Sequence, residues 1–184
     1  MERKTYKNVI ENKKCVTFAL AEIMAEKPFH EISVTEVCKK ASVSKNTFYR
    51  HFENLSDVIY QSISEINEKL VEEAFSFSSH KVDDFIIHVC NGWYENRRLY
   101  KGFTQDETIY IIRNMTRKDI VYFFEKNNID QGKDDLFFEF FSAAFCIFLR
   151  WWCLHDFVQT PEEISGRIKK YLYGNVFEEL EKYL

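Results

Sequence analysis

The sequence predicts an all-α protein of about nine helices, with an N-terminal helix-turn-helix head on a larger helical body. Its 184 residues include only 2 prolines and 5 glycines, too few for the many turns of a β-sandwich. Apolar residues recur at steps of three and four along most of the chain, and 46% of the residues are hydrophobic, enough for a substantial core. Several of these periodic stretches also begin with a helix-capping residue.

The first helix is expected from about Tyr6 to Lys27, behind a short charged arm at residues 1–5. Its apolar positions recur at helical steps, and Pro28 ends it because proline cannot continue the backbone hydrogen bonds. We expect this helix to pack behind the segment that follows it.

The stretch 33–60 predicts two short helices joined by a tight turn, then the start of a longer helix. Ser33 and Glu36 have the S-x-x-E spacing of a capping box. The turn is expected at residues 41–43, and Ser44 is a suitable N-cap for the second short helix. This layout is typical of a helix-turn-helix whose second helix enters the major groove of DNA.

In the second short helix, Phe48 and Phe52 are four residues apart and can face the core together. The remaining side chains then point outward, and their types suit phosphates and base edges. We expect DNA contacts from Thr35, Ser44, Lys45, Asn46, Thr47, Tyr49, Arg50 and His51.

This segment resembles the N-terminal DNA-binding unit of TetR-type (tetracycline-repressor-like) regulators. The resemblance is carried by the Val43-Ser44 turn and above all by the run from Thr47 to Phe52, TFYRHF. The alternative is an ordinary two-helix corner in which these aromatic residues only pack. Two positions depart from the family pattern: Ser42 replaces a common glycine, and Leu55 replaces a lysine that grips phosphate.

A fourth helix of about twenty residues is expected next, as the connection between head and body. We expect a head at 1–53, the connecting helix at about 54–76 and a regulatory and dimerisation body at 77–184, with a linker at 76–81. Helices five, six and seven follow in the body, and a turn is expected at 127–133.

Helices eight and nine close the chain. Helix eight, from 134 to 155, is apolar nearly all round and must be covered on more than one side. Helix nine begins at Thr160-Pro161, an N-cap followed by proline at the first helical position. The resemblance implies that both helices form a four-helix interface in a homodimer. Residues expected there are Phe141, Phe145, Phe148, Trp152, Ile168, Tyr171 and Leu172.

Charge is divided unevenly along the chain. Residues 1–52 carry 10 Lys and Arg against 6 Asp and Glu, giving +4, whereas the remainder carries 15 against 23, giving −8. This division suggests that the basic head binds double-stranded DNA, whereas the acidic body does not contact it. The five cysteines lack the spacing of a zinc site, so we expect free thiols in a reducing cytoplasm. We also expect no metal, no cofactor and no membrane association.

The resemblance also implies an operator with pseudo-palindromic symmetry and a small-molecule effector bound in the body, which would release a repressor from DNA. Aromatic residues of the body are candidates for the effector pocket. They are His88, Trp93, Tyr94, Tyr100, Phe103, Tyr110 and Trp151.

Two other functional classes are alternatives to a DNA-binding regulator. An enzyme is disfavoured because the chain has no glycine-rich phosphate loop, nucleophile elbow or H-E-x-x-H motif. A helical protein-interaction adaptor with a degenerate head is the alternative function, prompted by Ser42 and Leu55. Replacing Lys45 and Arg50 by alanine would abolish function only if DNA is the partner.

Overall fold

The computed structural model describes residues 2–75, 82–126 and 135–173, and within these ranges all regular structure is helical. The helices are α1 (Glu2–Met24), α2 (Val34–Ala41), α3 (Lys45–His51), α4 (Leu55–Phe75), α5 (Val82–Glu95), α6 (Arg97–Phe103), α7 (Ile109–Lys126), α8 (Asp135–Leu154) and α9 (Pro161–Tyr173), with a short 3-10 turn at Phe29–Glu31. The predicted all-α class is confirmed. The expected linker at 76–81 and turn at 127–133 lie outside the described residues.

The N-terminal arm is the clearest difference from the expected element boundaries. Residues 2–5 belong to α1 rather than to an irregular arm. This helix ends at Met24, ahead of Pro28, because the chain turns into the 3-10 segment there.

A single apolar core runs through the described helices. Helix α1 packs against α2, α4 and α6, and α4 packs against α5 and α7. In the body, α7 packs on α8 and α5 packs on α9. Both α1 and α4 therefore contact the N-terminal helices and the body at once.

Helix α6 approaches α1 closely enough for their backbones to touch. A Cβ atom added at Gly102 would lie only 2.3 Å from the carbonyl oxygen of Ala21. On either side of this contact, Arg98 pairs with Glu22 and His30 pairs with Glu107. The junction between α1 and the body is thus formed by direct backbone packing with polar side-chain contacts on either side.

Helix α8 meets the length and composition of a membrane-spanning helix, the one such helix in the part of the chain that is described. A third of its apolar window is buried within the protein. It packs against α6, α7 and α9, and Arg150 near its C-terminal end pairs with Asp106. These contacts make α8 a packed helix of the body with one apolar side uncovered.

Candidate nucleic-acid interface and effector cavity

The turn between α2 and α3 is fixed by local hydrogen bonds. The Ser33 side chain accepts a hydrogen bond from the Glu36 amide and caps α2. At the other end, Ser42 adopts the left-handed conformation, with φ of 56°, and the Val43 amide donates to the Cys38 carbonyl. This is the position where glycine is commonly found in TetR-type heads, and its left-handed backbone explains the preference.

Helix α3 buries one face and exposes the other, as expected. Phe48 is fully buried, and its ring contacts Phe52 with 5.6 Å between centroids. Ser44 caps the helix by accepting from the Thr47 amide at 3.0 Å, and their hydroxyl oxygens are 2.9 Å apart.

The opposite face of α3 carries the polar residues expected on DNA. The phenol of Tyr49 is held edge-on against Phe48, and Tyr49 is 57% exposed. Thr47 is half-buried against Ser44. The other exposed candidates are Thr35, Ser44, Lys45, Asn46 and Arg50.

His51 is the exception among the predicted DNA contacts, because the structure half-buries it. Its Nε2 atom is buried without a hydrogen-bond partner among the described residues. Burial, together with the positive charges of Arg50 and Lys13, lowers the pKa of His51 below its usual value. A half-buried imidazole with a lowered pKa supplies little positive charge for a phosphate.

The start of α4 replaces the missing lysine with a different arrangement. Leu55 is only 8% exposed and belongs to the apolar core. Asn54 accepts from the Asp57 amide, and the Asp57 carboxylate accepts from the Glu53 amide, so this helix has a complete cap. Leu55 therefore contributes to packing and does not replace the phosphate contact that a lysine at this position would make.

A small cavity lies between α4, α5, α7 and α8 and has a volume of about 30 Å³. Its polar side is formed by Asn67 of α4, which donates to Asp119 of α7 at 2.5 Å. The Tyr100 hydroxyl reaches the Asn67 side-chain oxygen at 3.4 Å. Its apolar walls are Leu70, Val71, Phe85, Val89, Trp93, Ile120 and Phe145.

The structure places the seven predicted pocket residues at different sites. Trp93 lines the cavity, and Tyr100 reaches it through Asn67. Phe103 is fully buried, and Tyr110 is half-exposed on the surface. Neither lines the cavity, and both expectations are corrected.

The other three predicted residues serve local packing. The Tyr94 ring stacks on Trp152, with 5.8 Å between centroids. The Trp151 ring stacks on His155, which follows directly after α8. His88 lies 2.9 Å from the Leu70 carbonyl through its Nε2 atom and so contacts α4 beside the cavity. Aromatic spacing alone could not separate these roles.

Asn67 and Asp119 were missed by sequence reasoning, although a signal was present. Asp119 falls in register with Ile112, Met115 and Phe123, the buried stripe of α7. An acidic residue at a core position of an amphipathic helix is uncommon, since burying a charge is costly. That irregularity marks the polar side of the cavity.

A larger groove of about 400 Å³ lies on the surface between α1, α4 and the α5–α6 corner. Lys13 and Lys69 lie along it together with Glu65 and Glu95, so its charges are mixed. On its floor, the Thr17 and Ser62 hydroxyl oxygens are 2.8 Å apart and satisfy each other. Among the described residues, no group of three His, Cys, Asp or Glu could hold a metal ion.

The α8–α9 surface differs from the predicted dimer interface. Phe145, Trp152 and Ile168 are at most 4% exposed within the single chain, which corrects their assignment to a partner surface. Phe141, Phe148 and Leu172 are half-buried, and Tyr171 is exposed. The large apolar residues left exposed on α8 are Leu136, Phe140, Ile147 and Leu154.

Solved structures with the same fold include three bacterial regulators. A TetR-family transcriptional regulator from Syntrophomonas wolfei str. Goettingen has a TM-score of 0.64 and 12% identity, covering 88% of this chain and 92% of its own. A TetR transcriptional regulator from Streptococcus agalactiae 2603V has a TM-score of 0.59 and 18% identity, covering 94% and 99%. The regulator FadR from Bacillus subtilis in complex with stearoyl-CoA has a TM-score of 0.59 and 16% identity, covering 88% and 98%.

Sequence families give a more specific result than these distant structures. No curated protein sequence matches the chain. The family described as bacterial regulatory proteins, tetR family, matches residues 19–58, which include the whole helix-turn-helix. The family described as transcriptional regulator C-terminal region matches residues 80–174, more than half of the chain. With its exposed recognition helix and all-helical body, the chain belongs to the TetR family of DNA-binding transcription regulators.

Proposed function

We propose that the protein is a cytoplasmic, homodimeric repressor that binds a pseudo-palindromic operator and is released from it by a small-molecule effector. It acts by binding alone, with no catalytic step and no cofactor. The observation that carries this proposal is the exposed polar face of α3, held outward by the buried Phe48 and Phe52.

The DNA contacts are assigned to the exposed side of α2 and α3. Lys45 and Arg50 supply positive charge for phosphates, and the Asn46 amide suits the edge of an adenine. Thr35, Ser44, Thr47 and Tyr49 add donors around them. His51 is not included among these contacts because its Nε2 atom is buried.

The homodimer is assigned to the uncovered side of α8. Leu136, Phe140, Ile147 and Leu154 are separated by 4, 7 and 7 positions, so they form one stripe along the helix. Tyr171 of α9 continues this surface, and its ring contacts Phe148 with 6.0 Å between centroids. A two-fold axis across this stripe would bury it against its copy and present two recognition helices to DNA.

The effector is assigned to the cavity beside Asn67 and Asp119. Its walls come from α4 and from three helices of the body, so an occupant would contact the helix that leads to the head. FadR from Bacillus subtilis, which shares the fold, has been solved with stearoyl-CoA. We assign head, connecting helix and body to residues 1–53, about 54–76 and 77–184, with α4 as the link between them.

The test begins with selection of random duplex DNA by the purified protein, followed by sequencing of the bound pool. An enriched inverted repeat is expected. A folded protein that enriches no motif at low salt would contradict the proposal and favour the adaptor alternative. A reporter gene behind the selected operator then distinguishes repression from activation.

The dimer is tested separately by analytical ultracentrifugation. Ile147→Asp places a charge in the middle of the exposed stripe and should give a monomer with weakened operator binding. Tyr110→Asp, an equally drastic change at an exposed residue of α7, is the matched control and should remain dimeric. A monomeric wild-type protein, or an unaffected Ile147→Asp dimer, would contradict the assigned interface.

A further inference from the structure

The cavity in the body contains a carboxylate, that of Asp119, which has no cation paired with it among the described residues. Asp119 accepts one hydrogen bond from Asn67, and no Lys, Arg or His of the described residues forms an ion pair with it. Asn67 is itself oriented by the Tyr100 hydroxyl, which reaches its side-chain oxygen. This chain of three side chains fixes the position of the carboxylate at the edge of the cavity.

The surroundings of Asp119 make this charge costly. Burial is the main cause that raises its pKa to about 6, and nearby Glu68 adds to the rise, while the Asn67 hydrogen bond and Lys118 oppose it. The carboxyl group is therefore still mostly ionised at neutral pH, in an environment of low polarity. A partly buried anion of this kind is stabilised most strongly by a cation placed directly against it.

The rest of the cavity is suited to an apolar group next to such a cation. Phe85, Trp93 and Phe145 form aromatic walls, and the Trp93 and Phe145 rings meet edge to face with 5.9 Å between centroids. Aromatic faces attract cations as well as apolar groups. By contrast, an anionic ligand would be repelled by Asp119, and a neutral one would leave its charge unpaired.

We propose that the effector is a small cationic amphiphile whose protonated amine pairs with Asp119 while its aromatic or alkyl part packs among Phe85, Trp93 and Phe145. This inference rests on the proposed effector-responsive function and specifies the chemical class of the effector. Asn67 positions the carboxylate, and Asp119 is the residue that distinguishes amines from neutral and anionic molecules.

The size of the cavity also predicts what binding does. A volume of about 30 Å³ is close to that of one or two water molecules, so an amine with an aromatic group requires the walls to move apart. Leu70 and Val71 of α4 form part of these walls. Entry of the effector therefore displaces α4, the helix that starts in the head.

The experiment compares three probes of similar shape: benzylamine, benzyl alcohol and benzoate, followed by their phenylbutyl homologues. Binding to the full-length protein is measured by isothermal titration calorimetry at about pH 7.5, where both the amine and Asp119 are charged. We expect the amines to bind at least about tenfold more tightly than the alcohols, and benzoate to bind most weakly.

Asp119→Asn keeps the shape and removes the charge. It should abolish the preference for amines while changing the affinity for alcohols by no more than about twofold. Glu125→Gln removes one negative charge from the exposed side of the same helix and should preserve the preference. If Asp119→Asn fails to fold, the comparison of amine with alcohol in the wild-type protein still tests whether the cavity prefers a cation.

Equal binding of amines and alcohols, a preference that survives in Asp119→Asn, or no binding of any amine would each overturn the inference. Operator binding by the ligand-free protein is measured in parallel. Its loss would contradict the proposed regulator, whereas intact operator binding without amine selectivity would contradict only the assigned effector class.

Discussion

The side-chain oxygen of Gln105 accepts a hydrogen bond from the backbone amide of Phe29, with 2.9 Å between oxygen and nitrogen. The side-chain nitrogen of the same residue donates to the carbonyl of Lys27 at 2.9 Å and to that of Met24. One side chain from the α6–α7 connection therefore satisfies three backbone groups, one on the last residue of α1 and two in the segment that follows it. These groups lie where α1 ends and would otherwise have no helical partner.

Removing the Gln105 side chain should loosen the attachment of the body to the end of α1. Gln105→Ala leaves three partly buried backbone groups without their partner, and we expect it to lower the free energy of unfolding by about 1–3 kcal/mol. Urea denaturation monitored by circular dichroism measures the change. Asn114→Ala, at an exposed amide on α7, is the control and should change stability by no more than about 0.5 kcal/mol. Equal stabilities for the two variants would contradict this role.

The contact between α1 and α6 predicts a difference between two glycines. Gly102→Ala places a Cβ atom against the backbone of Ala21, which cannot move without separating the helices. Gly92→Ala instead meets the end of the Leu70 side chain, which can change rotamer. Thermal unfolding should therefore show a larger loss for Gly102→Ala, by about 1–3 kcal/mol. A smaller loss for Gly102→Ala than for Gly92→Ala would contradict this prediction.

Lys45 should contribute charge rather than sequence preference. Lys45→Ala removes one phosphate contact, so operator and non-operator DNA should both bind more weakly, and the slope of log K against log salt should fall by about 0.9. Fluorescence anisotropy over a range of salt concentrations measures this slope. Lys126→Ala removes the same charge from the far end of α7 and should leave the slope unchanged. An unchanged slope for Lys45→Ala would show that this residue does not contact a DNA phosphate.

Asp119 should make stability depend on pH. Its folded-state pKa, about 6, is raised above the usual value of 3.8, so ionisation opposes folding. The stability associated with the protonated form is fully present below about pH 4 and is lost as pH rises through about 6. The free energy of unfolding of Asp119→Asn should therefore exceed that of the wild type by about 1–3 kcal/mol at pH 7, with little difference at pH 4. Glu125→Gln, tested by the same denaturation series, should show no comparable pH-dependent gain.

The head could be predicted from sequence in detail because its signals are local. The capping serines and the four-residue spacing of Phe48 and Phe52 each act within one helical turn. The resemblance to TetR-type heads also marks position 42 as one that favours glycine, and the φ of 56° at Ser42 agrees. The surroundings of His51 cannot be predicted in this way, because they include Lys13 of α1 and Gln61 of α4, which donates to the His51 carbonyl.

The body was harder to interpret because all its helices are rich in aromatic residues. Whether Trp152 faces a partner or its own core depends on the rotation of α8 against α6, α7 and α9, which no local motif specifies. The cavity between α4, α5, α7 and α8 depends on Asn67 and Asp119, which are 52 residues apart in the chain. Such pairs become visible only when helix packing is known.

Helix α4 begins shortly after α3 and contributes Leu70 and Val71 to the wall of the cavity in the body. The distance along its axis from Leu55 to the cavity is about 24 Å at 1.5 Å per residue. As a rigid lever of that length, it would convert a tilt of about 5° at the cavity into a displacement of about 2 Å at the head. In a two-fold dimer, opposite displacements would change the separation of the two heads by about 4 Å. Two operator half-sites have a fixed spacing along the DNA, so both heads could no longer bind in register.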